Sequence, residues 1–158
     1  MTHKLIVISG TPGTGKTTWA KILAKKFGYT RLDLHDYYKD ISTDYNRGKQ
    51  AYDIDLKKFE KLVNGLKKDT IIDSHITHLL PKKRVDLCII LTCSNLKKLE
   101  GRLKERMYSK KKIRENLDTE IFQICLMEAQ ENGHKVITFD TSKKISQKEF
   151  IEKITKNL

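Results

Sequence analysis

The sequence has little cysteine and no long hydrophobic run. Its three cysteines, Cys88, Cys93 and Cys125, are an odd number and include no CxxC pair. This argues against a disulfide framework and against a zinc site, and it is typical of a reducing, cytoplasmic compartment. The first apolar run, of about five residues, is too short for the core of a signal peptide or for a membrane span. We therefore expect a cytoplasmic protein with no membrane partner.

Segments typical of interdomain linkers are also missing. The chain contains only two prolines and eight glycines in 158 residues, and it has no internal repeat and no low-complexity tail. A chain of this length can bury a hydrophobic core without disulfides or a structural metal. We expect a single domain that covers residues 1–158.

Acidic residues are fewer than basic ones. The sequence has 20 Asp and Glu against 32 Lys and Arg, which gives a net charge of +12. Such an excess indicates an anionic partner, for example a nucleotide, an RNA or an acidic protein surface. The alternative is that the lysines lie on solvated helix faces, and composition alone leaves both interpretations open.

Short apolar runs alternate with longer segments of helical periodicity. The predicted strands are residues 5–9, 30–34, 70–73, 86–92 and 135–139. The predicted helices are residues 17–27, 55–66, 116–133 and a last helix that opens with the capping box SQKE at 146–149. Because strands that alternate with helices are joined by right-handed crossovers, this order predicts a parallel five-stranded sheet with helices on both faces, a three-layer α/β/α fold.

The segment GTPGTGKT, residues 10–17, follows the first predicted strand and precedes the first predicted helix. In that context it matches the phosphate-binding pattern GxxxxGK[ST], in which Gly13 lets successive backbone N–H groups point at phosphate oxygens. We expect Lys16 to reach the β and γ phosphates of a nucleoside triphosphate, and the Thr17 hydroxyl to bind Mg²⁺. The alternative is a glycine-rich turn that serves packing alone. The motif, the strand before it and the helix after it all favour a triphosphate site.

The phosphate-binding loop does not name the reaction, because GTPases, ABC ATPases, helicases and small kinases share it. The chain is too short for the tandem domains of a helicase, and it has no NKxD-like guanine motif. A small kinase is therefore the favoured class.

The segment IIDSH places Asp73 at the end of the third predicted strand. The carboxyl ends of parallel strands meet at one edge, so Asp73 is expected near the phosphate-binding loop, where it would hold Mg²⁺ through water. The alternative is a strand-ending turn residue. His75 would orient a nucleophile or be an ordinary loop residue. His78 lies three residues further on, but no third ligand is nearby, which disfavours zinc.

Residues 95–114 carry nine Lys or Arg and two Glu. Arg102 and Arg106 are one helical turn apart, and from a mobile lid they would deliver planar, bidentate charge to phosphoryl oxygens and exclude water. The alternative is a solvated helix face. We expect most lysines of this segment at the surface.

Three stretches, ISGTPGTGKTT, IIDSH and RLKERMYSKKKIRENLDTEIFQICLMEA, together resemble the adenylate kinase isoenzyme 6 family over nearly the whole chain. The lid signature RLxxRxYxxxKIxEN followed by EIFQ discriminates better than the phosphate-binding loop. The resemblance implies a P-loop NTPase fold with a five-stranded parallel sheet. It also implies a nucleoside-monophosphate-binding arm at about residues 34–53 and a short lid at about residues 106–114.

The resemblance also implies roles for individual residues. Asp36 and Arg102 would bind the monophosphate, and the loop at 140–144 would lie near the adenine. The catalytic residues would be Lys16, Asp73, His75 and Arg106. The residues in contact with the ATP phosphates would be Gly13, Gly15, Lys16, Thr17, Thr18 and Arg106, and those at Mg²⁺ would be Thr17 and Asp73.

Three positions depart from the family pattern. The chain has His35-Asp36 where the family often has Gly-Asp, Cys93 where it has Arg, and Met107 where Gly usually follows the lid arginine.

The function implied is transfer of the γ-phosphoryl group of Mg-ATP to AMP or a related nucleoside monophosphate. Members of the family also act in maturation of the small ribosomal subunit. The alternative is therefore an assembly ATPase, in which hydrolysis drives release of a small-subunit ribosomal protein or of pre-rRNA. The positive charge of the chain fits either partner.

Overall fold

The computed structural model describes residues 3–49 and 51–158. The strands are β1 (Leu5–Ser9), β2 (Thr30–Asp33), β3 (Ser42–Asn46), β4 (Ala51–Ile54), β5 (Thr70–Asp73), β6 (Leu87–Thr92) and β7 (Val136–Asp140). The helices are α1 (Lys16–Phe27), α2 (Tyr38–Ile41), α3 (Leu56–Asn64), α4 (Leu96–Glu105), α5 (Lys110–Ile121), α6 (Ile124–Glu131) and α7 (Gln147–Lys156). Within the described ranges, every helix is too short or too polar to cross a membrane.

Five strands form one parallel sheet in the order β2-β5-β1-β6-β7. They coincide, within a residue or two at their ends, with the five predicted strands, so the prediction of a five-stranded parallel sheet is confirmed. All five residues of the central strand β1 are buried. A strand covered on both faces needs no polar alternation, which is why the sequence shows a continuous apolar run there.

Two hydrophobic clusters cover the two faces of the sheet. Leu5 and Val7 of β1 pack in one cluster with side chains of α3 and α6. Ile6 and Ile8 pack in the other with side chains of α1 and α7. Successive strand residues point to opposite faces, so a single strand contributes to both cores. The predicted three-layer arrangement is confirmed.

Side-chain caps define where several helices begin. The Asp55 carboxylate accepts hydrogen bonds from the Lys57 and Lys58 N–H groups at the start of α3. Ser146 accepts from the Glu149 N–H at the start of α7, as its capping box predicted. Each such bond satisfies a donor that the first turn leaves without an intrahelical partner.

The predicted helix over residues 116–133 is wrong, because the chain forms two helices there. Gln123 has a φ of 49° and separates α5 from α6. Ile113 of α5 packs with α4 residues, whereas Cys125 of α6 packs on the sheet. A single straight helix over these residues would not pack against both cores. The stripe that included Ile121 is consequently broken, and that side chain is 53% exposed.

Two excursions leave the sheet on the side of the phosphate-binding loop. Between β2 and α3, within the predicted arm, the chain forms a 3₁₀ turn (Leu34–Tyr37), α2 and the antiparallel hairpin β3–β4. In the predicted lid, Arg106 is the C-cap residue that follows α4, and α5 already begins at Lys110. About half of the segment expected as a lid is thus the first turn of a helix.

Candidate active site

The loop between β1 and α1 depends on glycine at its first position. Gly10 has a φ of 148°, and a Cβ there would lie 2.4 Å from the Leu91 carbonyl oxygen. Any side chain would therefore push the loop away from β6. The loop is closed by the Thr14 hydroxyl, which donates to the Thr11 carbonyl at 2.8 Å. Gly15, with a φ of 92°, precedes the first turn of α1.

Lys16 is held over this loop. Its Nζ donates to the carbonyl oxygens of Gly10 and Thr11, each at 2.9 Å. Burial lowers the pKa of Lys16 to about 8, and the nearby positive charge of Arg106 acts in the same direction. A phosphate group placed in the loop would favour the charged form. Lys16 is thus positioned to contact an anion cradled by the loop.

Asp73 lies at the end of β5 beside the first turn of α1. The Thr17 hydroxyl donates to Asp73 Oδ2 at 3.5 Å, so the two residues predicted to bind Mg²⁺ are brought together. A hydroxyl and a carboxylate are suitable ligands for Mg²⁺, which usually completes its shell with phosphate oxygens and water. The pair therefore fits a cation that arrives with its phosphates. Among the described residues, no group of three or more His, Cys, Asp or Glu forms a metal cage.

Arg31 of β2 binds the same carboxylate. Its Nε donates to Asp73 Oδ1 at 2.8 Å, and its Nη2 donates to Asp73 Oδ2 at 2.9 Å. Sequence reasoning missed this residue. The sequence did contain a signal for it, an arginine within a predicted strand. A guanidinium charge in a sheet whose centre is apolar requires a partner of opposite charge.

The first cleft, of about 590 Å³, lies between the phosphate-binding loop, α4 and the segment after β7. Arg102 crosses its floor: Nη1 donates to the Gly13 carbonyl at 3.0 Å, and Nη2 donates to the Thr141 carbonyl at 3.3 Å. Arg102 therefore holds the loop against the β7 end. Arg102 is absent from the described lining of the second cleft, and its role beside a monophosphate stays a prediction. The residues lining this cleft are Gly13, Thr14, Gly15, Thr18, Trp19, Arg102, Glu105, Arg106 and Thr141.

The second cleft, of about 500 Å³, lies on the opposite side of the loop, between the β3–β4 hairpin and α5. Three tyrosines lie edge to face along it: Tyr38 and Tyr52 have ring centroids 6.0 Å apart, and Tyr45 and Tyr52 5.0 Å apart. Lys112 lies across from them, with its Nζ 3.9 Å from the centre of the Tyr108 ring. Lys112 is half-buried in the wall of this cleft. Other lining residues include Lys16, Thr17, Thr18, His35, Lys49, Asp73, His75, Arg106, Glu115 and Asn116.

Arg106 lines both clefts. It is the C-cap residue of α4 and immediately precedes Met107, which has a φ of 61°. The chain therefore keeps the left-handed turn after this arginine with a side chain in place of glycine. Gly15 and Thr18 are the other residues common to the two clefts. The clefts thus meet at the phosphate-binding loop, below the arginine.

His75 lies in the second cleft as a neutral group. Burial lowers the pKa of His75 to about 3, and the positive charge of Lys16 contributes. Its Nδ1 is 3.5 Å from the Tyr38 hydroxyl, which in turn is 2.8 Å from the Ser74 hydroxyl. At neutral pH the His75 imidazole is uncharged, so it does not act as an imidazolium acid. It can act as a hydrogen-bonding group that orients a neighbouring group.

His78 and Asp36 are both absent from the described lining of the two clefts. His78 turns away from His75 into the interior, with Nδ1 at 2.6 Å from Ser9 Oγ and Nε2 at 3.0 Å from Glu128 Oε1. Asp36 is exposed on the 3₁₀ turn after β2 and is absent from the described lining of both clefts. In place of Asp36, the neighbouring His35 faces the second cleft.

A parallel sheet whose central strand runs into a phosphate-binding loop, with a cleft on each side of that loop, defines a P-loop kinase fold. Residues 6–123 match the family model described as AAA domain. The chain is 34% identical over 160 residues to the protein named "Putative adenylate kinase" of Thermococcus kodakarensis, with 95% of this chain and 82% of that protein covered. It is 37% identical over 131 residues to the adenylate kinase isoenzyme 6 homolog of Schizosaccharomyces pombe, with 80% and 74% covered. The chain belongs to the adenylate kinase isoenzyme 6 family.

A comparison of folds agrees with this assignment. The shikimate kinase of Acinetobacter baumannii, solved in complex with shikimate, superposes with a TM-score of 0.65 at 16% identity, with 98% of this chain and 92% of that chain covered. At that identity the likeness is one of architecture.

Proposed function

We propose that this protein transfers the γ-phosphoryl group of Mg-ATP to AMP or a related nucleoside monophosphate. The observation that carries the proposal is the pair of clefts that meet at the phosphate-binding loop and share Arg106. One cleft alone would serve an ATPase. Two clefts that converge on one loop allow a donor and an acceptor to meet end to end.

The donor would occupy the first cleft, with its phosphates in the loop and its base towards Trp19 and Thr141. An oxygen of the acceptor phosphate would attack the γ-phosphorus, and the bond from that phosphorus to the oxygen that bridges to the β-phosphate would break. Lys16 and Arg106 would neutralise the charge that spreads over the transferring group. Mg²⁺, held near Thr17 and Asp73, would add charge neutralisation at the phosphate oxygens.

The acceptor would occupy the second cleft. A nucleobase has a flat π-face that suits the edges and faces of Tyr38, Tyr45 and Tyr52, as aromatic rings commonly do for bases. Its phosphate would meet the positive charges of Lys112 and Arg106. Because every nucleobase has such a π-face, the acceptor is proposed as a class, with AMP first.

A product assay tests the proposal. The protein is incubated with Mg-ATP alone and with Mg-ATP plus each of AMP, GMP, CMP and UMP, and the nucleotides are separated chromatographically. The expected result is one diphosphate from the added monophosphate for each ADP formed from ATP, which for AMP means two ADP for each ATP consumed. ADP with inorganic phosphate in every reaction, and no diphosphate from an added monophosphate, would contradict it.

A second candidate function is an ATPase that binds an anionic partner, such as pre-rRNA or an acidic surface of a small-subunit ribosomal protein. A groove of about 880 Å³ between α1 and α7 favours it, because Lys21, Lys25, Lys26 and Lys148 line its rim. Binding there would weaken steeply with salt. RNA-stimulated phosphate release that is independent of AMP would support this candidate over the kinase.

The lowered pKa of Lys16 predicts how ATP binding depends on pH. The charged form binds phosphate, so affinity is complete well below pH 8 and falls as the pH rises through about 8. Between pH 7 and pH 9 the Kd for ATP is expected to rise about tenfold. Fluorescence of Trp19, the only tryptophan and a residue of the first cleft, provides the measurement.

Lys16→Arg is the control for this dependence, because guanidinium keeps its charge throughout the range and the titration of ATP itself is common to both proteins. Its Kd is expected to change much less between pH 7 and pH 9. An equal change in the two proteins would assign the dependence to another group.

Removing the charge of Asp73 is expected to weaken the use of magnesium. In Asp73→Asn, the Mg²⁺ concentration that gives half-maximal phosphoryl transfer should rise about tenfold, since a carboxylate that orients the metal shell commonly contributes that much. Asp40→Asn, which alters an exposed carboxylate on α2, is the matched control and should titrate like the wild type. An unchanged titration in Asp73→Asn, with thermal melts confirming a folded protein, would make Asp73 only a strand-ending residue.

A further inference from the structure

Arg31 holds Asp73 at two points. The guanidinium donates from Nε to one carboxylate oxygen and from Nη2 to the other, at 2.8 and 2.9 Å. The pair is largely shielded from water, with the Arg31 side chain 16% exposed and that of Asp73 4% exposed. Two parallel bonds of this kind restrict both the position and the rotation of a carboxylate.

The sheet explains why the clamp is needed. Asp33 of β2 lies opposite Asp73 of β5 in the parallel register, so the two carboxylates leave neighbouring strands on the same face. Like charges in that arrangement repel each other. Arg31, two residues before Asp33, lies on that face too, and its Nη2 is also 3.5 Å from Asp33 Oδ2. One guanidinium thus neutralises and separates the two carboxylates.

The orientation of Asp73 matters for the site beside it. Asp73 Oδ2 accepts at once from the Arg31 guanidinium and, at 3.5 Å, from the Thr17 hydroxyl. Without the guanidinium, rotation of the carboxylate or its displacement by Asp33 would change the distance from Oδ2 to Thr17. We propose that Arg31 is a positioning residue for magnesium-dependent nucleotide binding, which acts by fixing the Asp73 carboxylate towards Thr17.

This inference rests on the proposed function only in taking Mg-ATP as the ligand. Its direct readout is a binding ratio, not turnover: the Kd for ATP in EDTA divided by the Kd for ATP in saturating Mg²⁺, followed by Trp19 fluorescence. The ratio measures how strongly the metal and the protein cooperate in holding the nucleotide. Loss of a group that orients a metal-binding carboxylate typically costs tenfold or more in metal affinity.

In Arg31→Leu the ratio is expected to fall about tenfold, while the Kd in EDTA changes by less than about threefold. Asp73→Asn should lower the ratio to a similar extent. The double variant Arg31→Leu/Asp73→Asn should lower it no further than either single variant, because the two residues act through one carboxylate. An undiminished ratio in Arg31→Leu, or full additivity in the double variant, would overturn the proposal.

Two controls separate positioning from simple loss of stability or of charge. Val63→Ala truncates a fully buried residue of α3, so it lowers the melting temperature without touching the clamp and should leave the ratio unchanged. Arg31→Lys keeps the charge but replaces the planar fork by a point donor, and it should not restore the ratio. Restoration by lysine would show that charge alone suffices, and would overturn two-point positioning.

The two measurements, the magnesium ratio and the product assay, distinguish a failed positioning role from a failed kinase proposal. If ATP binds with a large magnesium ratio that Arg31→Leu leaves intact, Arg31 is structural and the kinase proposal stands. If no monophosphate is phosphorylated but the ratio responds to Arg31 as described, the site binds Mg-ATP for hydrolysis and the positioning role stands.

Discussion

Lys16→Met is expected to lower the turnover number for phosphoryl transfer by at least about a hundredfold. Lys16 is held over the phosphate-binding loop by two carbonyl oxygens, so its charge is already in place when the transferring group becomes more negative. One preorganised charge of this kind is commonly worth about 3 kcal/mol of transition-state stabilisation. Steady-state rates with saturating Mg-ATP and AMP provide the measurement.

The fold of Lys16→Met should survive, because the lost hydrogen bonds are two among many and each contributes only about 1 kcal/mol net. A thermal melt checks this. Lys57→Met is the matched control, since Lys57 is an exposed lysine on α3 and its loss should leave turnover unchanged. A folded Lys16→Met protein with turnover near that of the wild type would remove the phosphate-binding loop from the chemistry.

Arg106→Ala is expected to abolish the acceleration of ATP consumption by AMP. Arg106 lines both clefts, so its largest effect is expected on the charge that develops when donor and acceptor are both bound. An interaction that strengthens in the transition state lowers turnover more than it weakens ATP binding. The measurement is the rate of ATP consumption with and without saturating AMP, together with the Kd for ATP.

We expect the wild type to consume ATP at least tenfold faster with AMP than without it, and Arg106→Ala to show a ratio near one. Lys104→Ala is the control on the same helix. Lys104 is exposed and pairs with Glu100 at 2.9 Å, and a surface pair of this kind contributes little. Equal rates with and without AMP in the wild type would reject the kinase in favour of the ATPase, whatever Arg106→Ala does.

Much of the candidate site could be predicted because its residues are close together in the sequence. Lys16 and Thr17 belong to an uninterrupted loop whose function needs a fixed spacing of glycines and one preceding strand. Asp73 could be predicted because it ends a buried strand, and parallel strands end at one edge. The surroundings of Arg102 and Asp36 could not be predicted in this way. Arg102 donates to the Gly13 and Thr141 carbonyls and Asp36 is exposed, and both environments are set by tertiary contacts.

What the sequence by itself determined is local or periodic. The five strands, the phosphate-binding loop and the cap at Ser146 all follow from the spacing of apolar residues, from the backbone freedom of glycine, and from the preference of a hydroxyl for unpaired N–H groups. These properties act over a few residues, so they can be read along the chain.

Only the tertiary structure decided which distant residues meet. Arg31 and Asp73 are 42 positions apart, and their pairing depends on the register of two strands. The break at Gln123 exists because α5 and α6 pack on different cores. The two clefts form where a hairpin, two helices and the loop converge on one sheet edge. Long-range packing selects these contacts, and the local sequence pattern does not indicate which distant residues will meet.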